Sequence, residues 1–463
     1  MLLILLGILC TGFFLVLFLP LKYADYLSSV AYGFSCLGFV QSLGLVFFFN
    51  TYDSNFQYVF IENLPLGLDS ISLLFVLLTC FLFPLCLLAS WGPLQTKSYL
   101  LCFLSIEILL ILVFSVLDLV CFYVFFESVL IPIFFLIGIW GSRARKIRAS
   151  YFFFVYTLIG SLFLLCAICY ILSVCGTSRL ESLMHYDFSL SQQKCLWAAF
   201  FLSFAVKVPL VPFHIWLPEA HVEAPTAGSA ILAGVLLKLG IYGFVRFSLP
   251  LFPEASVYFT PFIFCICLVG VVYTSLTAIR QTDLKRIIAY TSIAHINLVV
   301  CGIFSFTALG FHGCILQSLS HGFVSCALFL LIGCLYDRYH TRFYMHYGGL
   351  MHTIPIFGLF FVTFTMANIA LPGSSSFVGE FLLLIGIFES NPLASFIGAT
   401  SIVAGGIYSL WLLNRIMYGN LKTQSLKIFT DLNSRETFVL AVCTSLTIFL
   451  GIYPESVLHL LSL

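Results

Sequence analysis

The run VKVPLVPFHIWLPEAHVEAPTAGSAILAGVLLKLGIY, from Val206 to Tyr242, decides how this chain is read. It is mostly apolar, yet it holds Lys207 and Lys238, and Pro209 and Pro212 follow closely on the first of them. A proline removes a backbone donor and clashes with the carbonyl four residues earlier, so a helix ending near Lys207 must break. Broken backbone at membrane depth persists only where protein or a water-filled cavity satisfies its polar groups. Lys238 lies mid-helix in Leu236-Leu237-Lys238-Leu239-Gly240, among the small residues Gly234, Gly240 and Gly243, with neither helix end close. A lysine at that depth costs about 2.5–3.5 kcal/mol on the lenient insertion scale, which makes it a functional hypothesis by default.

The rest of the chain has the same character. Of 463 residues, 61% are hydrophobic and 8% charged, with a mean hydropathy of +1.11, which excludes a soluble protein. Twenty Lys+Arg against 19 Asp+Glu give a net charge of +1, too little to neutralise a nucleic-acid backbone. The 17 cysteines lie mostly in apolar runs and read as small buried hydrophobes. Residues 1–20 have no basic n-region, cleavage site or transit-peptide character, and read as a retained membrane helix. Such a chain is expected to be made beside its target membrane, as bacterial and organelle-encoded proteins are. Neither a Walker loop nor a Rossmann fingerprint is present.

Apolar runs between polar breaks predict an all-α polytopic membrane protein of about fourteen helices. They begin near Leu2, Tyr26, Leu66, Tyr99, Leu119, Tyr151, Leu196, Thr226, Tyr258, Leu284, Phe306, Pro355, Leu393 and Glu436. Charge tests this count, because loops alternate sides and Lys/Arg favour the inner one. Loops after odd-numbered helices hold Lys22, Lys97, Arg143, Arg145, Lys146, Arg148, Arg280, Lys285, Arg286, Arg338, Arg342, Arg415, Lys422, Lys427 and Arg435, whereas the others hold Arg179, Lys194 and Arg246. Both termini then face outward.

The twelfth helix is interrupted like the seventh, by Leu371-Pro372-Gly373-Ser374-Ser375-Ser376, whose hydroxyl residues suit the cap of a new helix start. Two breaks at this spacing hint at an internal repeat of about five helices with a midplane site in each copy. Glu380 follows the second break, where a half-helix N-terminus favours an anion, either as a proton site or as a structural cap. Glu127 lies in the fifth helix, five residues ahead of Pro132, whose missing N–H frees the Ser128 carbonyl for water. Lys207 reads as a snorkelling lysine, or as a buried one held by a carboxylate and able to gain and lose a proton, with Glu127 its natural partner. His295 and His321 are either satisfied core residues or proton relays. The polar stripe of Gln317, His321 and Ser325, and Thr291 and Ser292 one turn from His295, favour relays.

Weaker candidates remain. Cys166 and Cys169 have CxxC spacing but no second pair. His214, His221 and Glu223 fit no helical ligand pattern and are expected in a loop. Haem ligation by His295 and His321 is a further alternative. Glu107 is another intramembrane acid, and Asp118 is expected at an interfacial helix junction.

Five stretches together carry a resemblance: Phe126-Glu127-Ser128-Val129-Leu130-Ile131-Pro132, the Val206–Tyr242 block, Arg280-Gln281-Thr282-Asp283-Leu284-Lys285 running on to His295, Ser320-His321-Gly322, and Leu371-Pro372-Gly373 running on to Gly379-Glu380-Phe381. The chain resembles the antiporter-like membrane subunits of respiratory NADH:ubiquinone oxidoreductase, complex I, in the subunit 4 family. Its wording is nearest to mitochondrially encoded members from plants and green algae. The likeness runs from the third helix to the fourteenth; the first two helices match only in character, and Glu107 is not carried over by it.

The resemblance implies fourteen helices with two inverted five-helix repeats, each containing a broken helix. The expected divisions are 1–97 for helices one to three, 98–250 for the first repeat, 251–420 for the second and 421–463 for the last helix. It implies a non-redox, proton-pumping subunit of a translocase, in which Glu127 pairs with Lys207, Lys238, His295 and His321 join through water, and Glu380 is the exit-side group. It also implies that NADH, FMN, iron-sulfur clusters and ubiquinone belong to partner subunits of the membrane and peripheral arms, with no cofactor or metal on this chain. The expected location is the mitochondrial inner membrane, with a bacterial plasma membrane as alternative. The competing readings are a subunit of a multisubunit sodium/proton antiporter, a related family, and an inert scaffold or haem anchor. A buried lysine pair argues against a scaffold, since apolar residues fill the same volume at lower cost.

Overall fold

In lipid every backbone N–H and C=O must find a partner within the protein, and apolar runs therefore close into helices. The computed structural model of the chain describes residues 1–20, 24–51, 56–60, 65–92, 96–422 and 430–461, so Lys22 and Lys427 lie outside the described residues. Among these, 11 helices are long and apolar enough to cross a membrane.

The chain begins with α1 (Leu2–Phe18) and α2 (Ala24–Phe47), then an antiparallel pair of short strands, β1 (Gln57–Phe60) and β2 (Leu66–Leu68). Leu66 thus lies in a strand rather than at a helix start. Helix α3 (Ser70–Ala89) opens four residues later because Asp69 caps it: its carboxylate accepts from Ser72 N at 3.0 Å, and Ser72 Oγ accepts from Asp69 N at 2.8 Å. Next come α4 (Lys97–Ser115), α5 (Leu119–Ser128) and α6 (Leu130–Trp140), the last two forming one span interrupted at Val129, just ahead of Pro132. Helix α7 (Lys146–Cys175) and the short α8 (Leu180–Met184) lead to α9 (Leu190–Lys207) and α10 (Trp216–Glu223).

The following span, Thr226–Leu251, is buried from Ala227 to Ser248. It comprises α11 (Thr226–Ile231), α12 (Leu237–Gly243) and α13 (Leu249–Leu251), joined by two widened π turns at Leu232–Leu236 and Phe244–Ser248. Helices α14 (Pro253–Arg280), α15 (Leu284–Ile303) and α16 (Ala308–Tyr339) follow, then α17 (Pro355–Asn368), α18 (Ser375–Ser390), α19 (Pro392–Met417), α20 (Ser434–Ile452) and α21 (Glu455–Leu461). Helix α16 is the hub, packed on α15, α18, α11, α3 and α20.

Both expected breaks are present. Helix α9 stops at Lys207, and the Val206 carbonyl beside the break accepts from Trp216 Nε1 at 2.9 Å. The segment beyond it, expected as a loop around His221 and Glu223, forms helix α10. At the second break Ser374 stands at the N-cap, but its hydroxyl does not cap α18; it donates back to the Leu371 carbonyl at 2.7 Å, and Ser376 donates to the Ala367 carbonyl. These hydroxyls satisfy the carbonyls ahead of the break.

Three cations assigned to loops are buried. Lys285 lies in the first turn of α15 and is fully buried, Arg342 is buried, and Arg246 sits in the second π turn. Hydropathy places charge at the water, and here polar partners hold it inside instead.

Candidate functional site

Helix α12 carries Lys238 between the two π turns, facing α16. Its Nζ donates to the Ala233 carbonyl at 2.5 Å and lies 3.0 Å from His321 Nδ1. The His321 ring stands 6.0 Å, centre to centre, from that of His295 on α15. His295 Nδ1 meets Glu380 Oε1 at 2.7 Å, and the same oxygen accepts from Gln317 Nε2 at 3.0 Å. Gln317 Oε1 in turn accepts from Ser320 Oγ at 3.0 Å.

The row therefore crosses four helices, α12, α16, α15 and α18, and it is almost wholly enclosed: Lys238 is 0% exposed, Gln317 1%, Glu380 3% and His321 5%. The two imidazoles are the members of the row that no hydrogen bond joins, and both Nε2 atoms are buried without a partner. Such atoms are the usual seats of ordered water.

Glycine sets the spacing at both ends. A Cβ at Gly379 would meet Gln317 Oε1 at 2.6 Å and Gln317 Cα at 2.8 Å, so only glycine lets α18 bring Glu380 against α16. A Cβ at Gly240 would run into Val208 and the Phe204 carbonyl, so the Lys238 helix can touch the end of α9 at Lys207.

Lys207 and Glu127, the expected pair, are brought near but not into contact. They interact electrostatically, yet Lys207 Nζ and Glu127 Oε1 are both buried with no hydrogen-bond partner. The ammonium lies instead over the Phe126 ring, 4.3 Å from its centre. Glu380 also differs from expectation: His295 and Gln317 hold its carboxylate, not the N–H groups of the α18 start, which lie more than a turn away.

His221 was missed as a neighbour of this row. It is fully buried on α10, stacked on Phe329 at 4.7 Å, with neither ring nitrogen partnered, and it feels the charges of both Lys238 and Lys285. Lys285 Nζ donates to the Ala224 carbonyl at 2.8 Å and to Ser229 Oγ at 3.0 Å. Beyond it, Asp283 pairs with Arg143 at 3.5 Å, and Arg342 donates to the Val222 carbonyl and Ser142 Oγ. The signal was available in the sequence, as a lysine one residue into an apolar helix.

The remaining candidates stand apart. Glu107 accepts from Ser35 Oγ at 2.8 Å, with its other oxygen unpartnered. Asp118 caps α5, accepting from Val120 N, Cys121 N and Ser178 Oγ at 2.9, 3.0 and 2.6 Å. Cys166 and Cys169 are free thiols on the exposed side of α7. Among the described residues no group of three or more His, Cys, Asp or Glu is placed to hold a metal ion.

The chain is similar to known proteins over most of its length. Residues 1–117 match the family described as NADH-ubiquinone oxidoreductase chain 4, amino terminus, and residues 116–405 match NADH:quinone oxidoreductase/Mrp antiporter, TM. The NADH-ubiquinone oxidoreductase chain 4 of Arabidopsis thaliana is 52% identical over 454 residues, covering 96% of this chain and 92% of that protein. The chain belongs to the NADH-ubiquinone oxidoreductase chain 4 family. Its fold is close to a chain of respiratory complex I from Thermus thermophilus, with a TM-score of 0.90, 27% identity, and 99% and 97% of the two chains covered. A chain of an archaeal membrane-bound sulfane sulfur reductase shares the fold at a TM-score of 0.89 and 19% identity, covering 100% of this chain and 96% of that one. A chain 4 family member with these spans is a multi-pass membrane protein.

Proposed function

We propose that the buried row Lys238–His321–His295–Glu380, joined by Lys207 and Glu127 across the first break, is the proton path of this chain. As a chain 4 family member, it is a proton-pumping membrane-arm subunit of an NADH:ubiquinone oxidoreductase and works with other subunits of that complex. The observation that carries the relay is the line of buried groups from Lys238 Nζ to Glu380 Oε1, bonded at both ends and interrupted between the two imidazoles, whose rings stand 6.0 Å apart with both Nε2 atoms unpartnered.

The chemistry follows from those contacts. A protonated Lys207 is held by the field of Glu127 and the Phe126 face rather than by a direct bond. When Glu127 is neutralised or shifts, that support is lost, and the proton passes toward Lys238. A neutral imidazole donates at one ring nitrogen and accepts at the other, so His321, a water at an unpartnered Nε2 and His295 carry it on to Glu380. Each charge moved against 100 mV costs about 2.3 kcal/mol, supplied by quinone reduction in partner subunits. Those partners hold the NADH, FMN, iron-sulfur clusters and ubiquinone; this chain acts on protons alone.

The same reading gives fourteen transmembrane segments, with α17 and α18 forming one of them, and inverted repeats over 98–250 and 251–420. It is supported by the matching breaks at Lys207 and ahead of Glu380. The location proposed is the mitochondrial inner membrane, with the gene in the organelle. The alternative of a sodium/proton antiporter subunit draws on the family description over 116–405.

The test is Lys238→Ala in reconstituted complex. The relay predicts intact assembly with NADH oxidation and pumping both lowered about tenfold or more. Normal pumping by assembled complex overturns it, and sodium-dependent transport without any redox partner favours the antiporter.

A further inference from the structure

The span that carries Lys238 is built differently on its two sides. Toward its Thr226 end lie Lys285, the unpartnered His221 and the Arg143–Asp283 and Arg342 cluster. Toward its Leu251 end the nearest polar side chains, Tyr242 and Arg246, are engaged, and the unpartnered Ser248 Oγ lies beyond them. One turn past Lys238, the Tyr242 hydroxyl donates to the Phe114 carbonyl at 2.9 Å and accepts from Arg246 Nε at 3.2 Å. Another turn on, the Arg246 guanidinium is paired with Asp69 and lies over the Phe56 and Tyr242 rings, 5.0 and 5.5 Å from their centres.

Aromatic rings fill the space around this pair. Phe75, Phe114 and Phe122 pack on Tyr242 with centroids 6.3, 5.2 and 6.4 Å away, and Phe247 packs on Phe122 at 4.4 Å. Lys238 itself turns its bonds the other way, to Ala233 and His321. A proton on Lys238 moving straight along its own helix would meet a hydroxyl with both bonding roles taken, then a fixed cation among packed aromatic rings. A permanently charged guanidinium that cannot deprotonate is the residue suited to exclude protons.

We infer that Arg246, locked by Asp69 and Tyr242, is a proton seal: it closes the Leu251 side of the Lys238 site and obliges protons to leave sideways through His321 and His295 to Glu380. The inference rests on the relay reading above. It makes Arg246 a positioning residue for direction rather than a carrier. Its loss should leave redox chemistry running while protons slip back.

The experiment measures passive proton conductance of proteoliposomes holding the whole complex, without NADH, after an imposed pH step, and the protons pumped per NADH in the same vesicles. Arg246→Gln is expected to raise passive conductance roughly tenfold and to lower the pumped ratio, with NADH oxidation kept. Arg246→Lys, which keeps a cation, is expected to stay near the parent. Adding Lys238→Ala to Arg246→Gln is expected to remove the leak, because the leak runs through Lys238. Should Arg246→Gln fail to assemble, Asp69→Asn with Arg246→Met removes both charges without stranding either and keeps an oxygen to cap α3, and the same conductance is read. Parental conductance in an assembled variant lacking the cation, or a leak that persists without Lys238, overturns the seal. Loss of pumping in Lys238→Ala alone bears on the relay and leaves the seal to be judged by conductance.

Discussion

At the break between α9 and α10 the ionisable groups are left open: Lys207 Nζ and Glu127 Oε1 are buried without a hydrogen bond, and neither touches the other. At the break between α17 and α18 the opposite holds. Glu380 receives His295 and Gln317 on one oxygen, and Gln317 is itself held by Ser320. Buried polar groups without partners are costly, and networks that are complete are rigid. On the proposed relay, the first break is therefore the place where a small shift in charge or water changes the energy most, and the second is the better-held end, with His295 Nε2 alone of the row there left unpartnered. Two helices broken by similar residues can thus serve as trigger and latch.

The largest effect expected at the latch is structural. Gly379→Val places carbon against Gln317 where no space exists, and overpacking of this kind costs about 1–3 kcal/mol. The measurement is the yield of assembled complex on native gels, expected to fall severalfold, while the same change at Gly406, whose missing Cβ has nothing within 4 Å, leaves yield unchanged. Next comes Glu380→Gln, which keeps the amide of Gln317 within reach but removes the proton site. Pumping should drop about tenfold with assembly intact; pumping at the parental rate would show that Glu380 is a structural acid.

Smaller again is Gln317→Ala. It removes one hydrogen bond to a charged oxygen, worth about 1.5–3 kcal/mol, yet His295 remains, so a loss of pumping of about threefold is expected, with the parental value restored by Gln317→Asn only if the amide reaches Glu380. The smallest effect is a matter of occupancy. In a high-resolution map of the complex, ordered water should stand at Lys207 Nζ and between the Nε2 atoms of His295 and His321, and none should bridge His295 to Glu380. A dry gap between the imidazoles would break the comparison at its middle.

Much of this was legible in residue order. Breakers at Pro209, Pro212 and Pro372 located both interruptions, and a lysine isolated in Leu237-Lys238-Leu239 marked Lys238 as a buried ionisable candidate before any neighbour was known. What stayed hidden depended on partners distant in sequence. Lys285 and Arg246 read as loop charges because hydropathy sends charge to water, and only the fold supplies Ser229 and the Ala224 carbonyl for one and Asp69 for the other. The π turns on either side of Lys238 have no sequence signature beyond scattered glycines. The hold on Glu380 was misread as a helix-end effect because the nearest backbone in sequence was not the nearest partner in space. His221 was set aside because its spacing from His214 and Glu223 fits no helical ligand pattern and the segment read as a loop, whereas Trp216–Glu223 closes into two turns of helix.

The central claim is that Lys207, unpaired yet near Glu127, is where charge change enters the proton path. The direct measurement is NADH-driven proton pumping by reconstituted complex carrying Lys207→Ala, with assembly and NADH oxidation followed alongside. The account predicts assembled complex in which pumping and coupled turnover collapse together. Assembled complex that pumps and turns over at the parental rate would make Lys207 a structural lysine and contradict the mechanism.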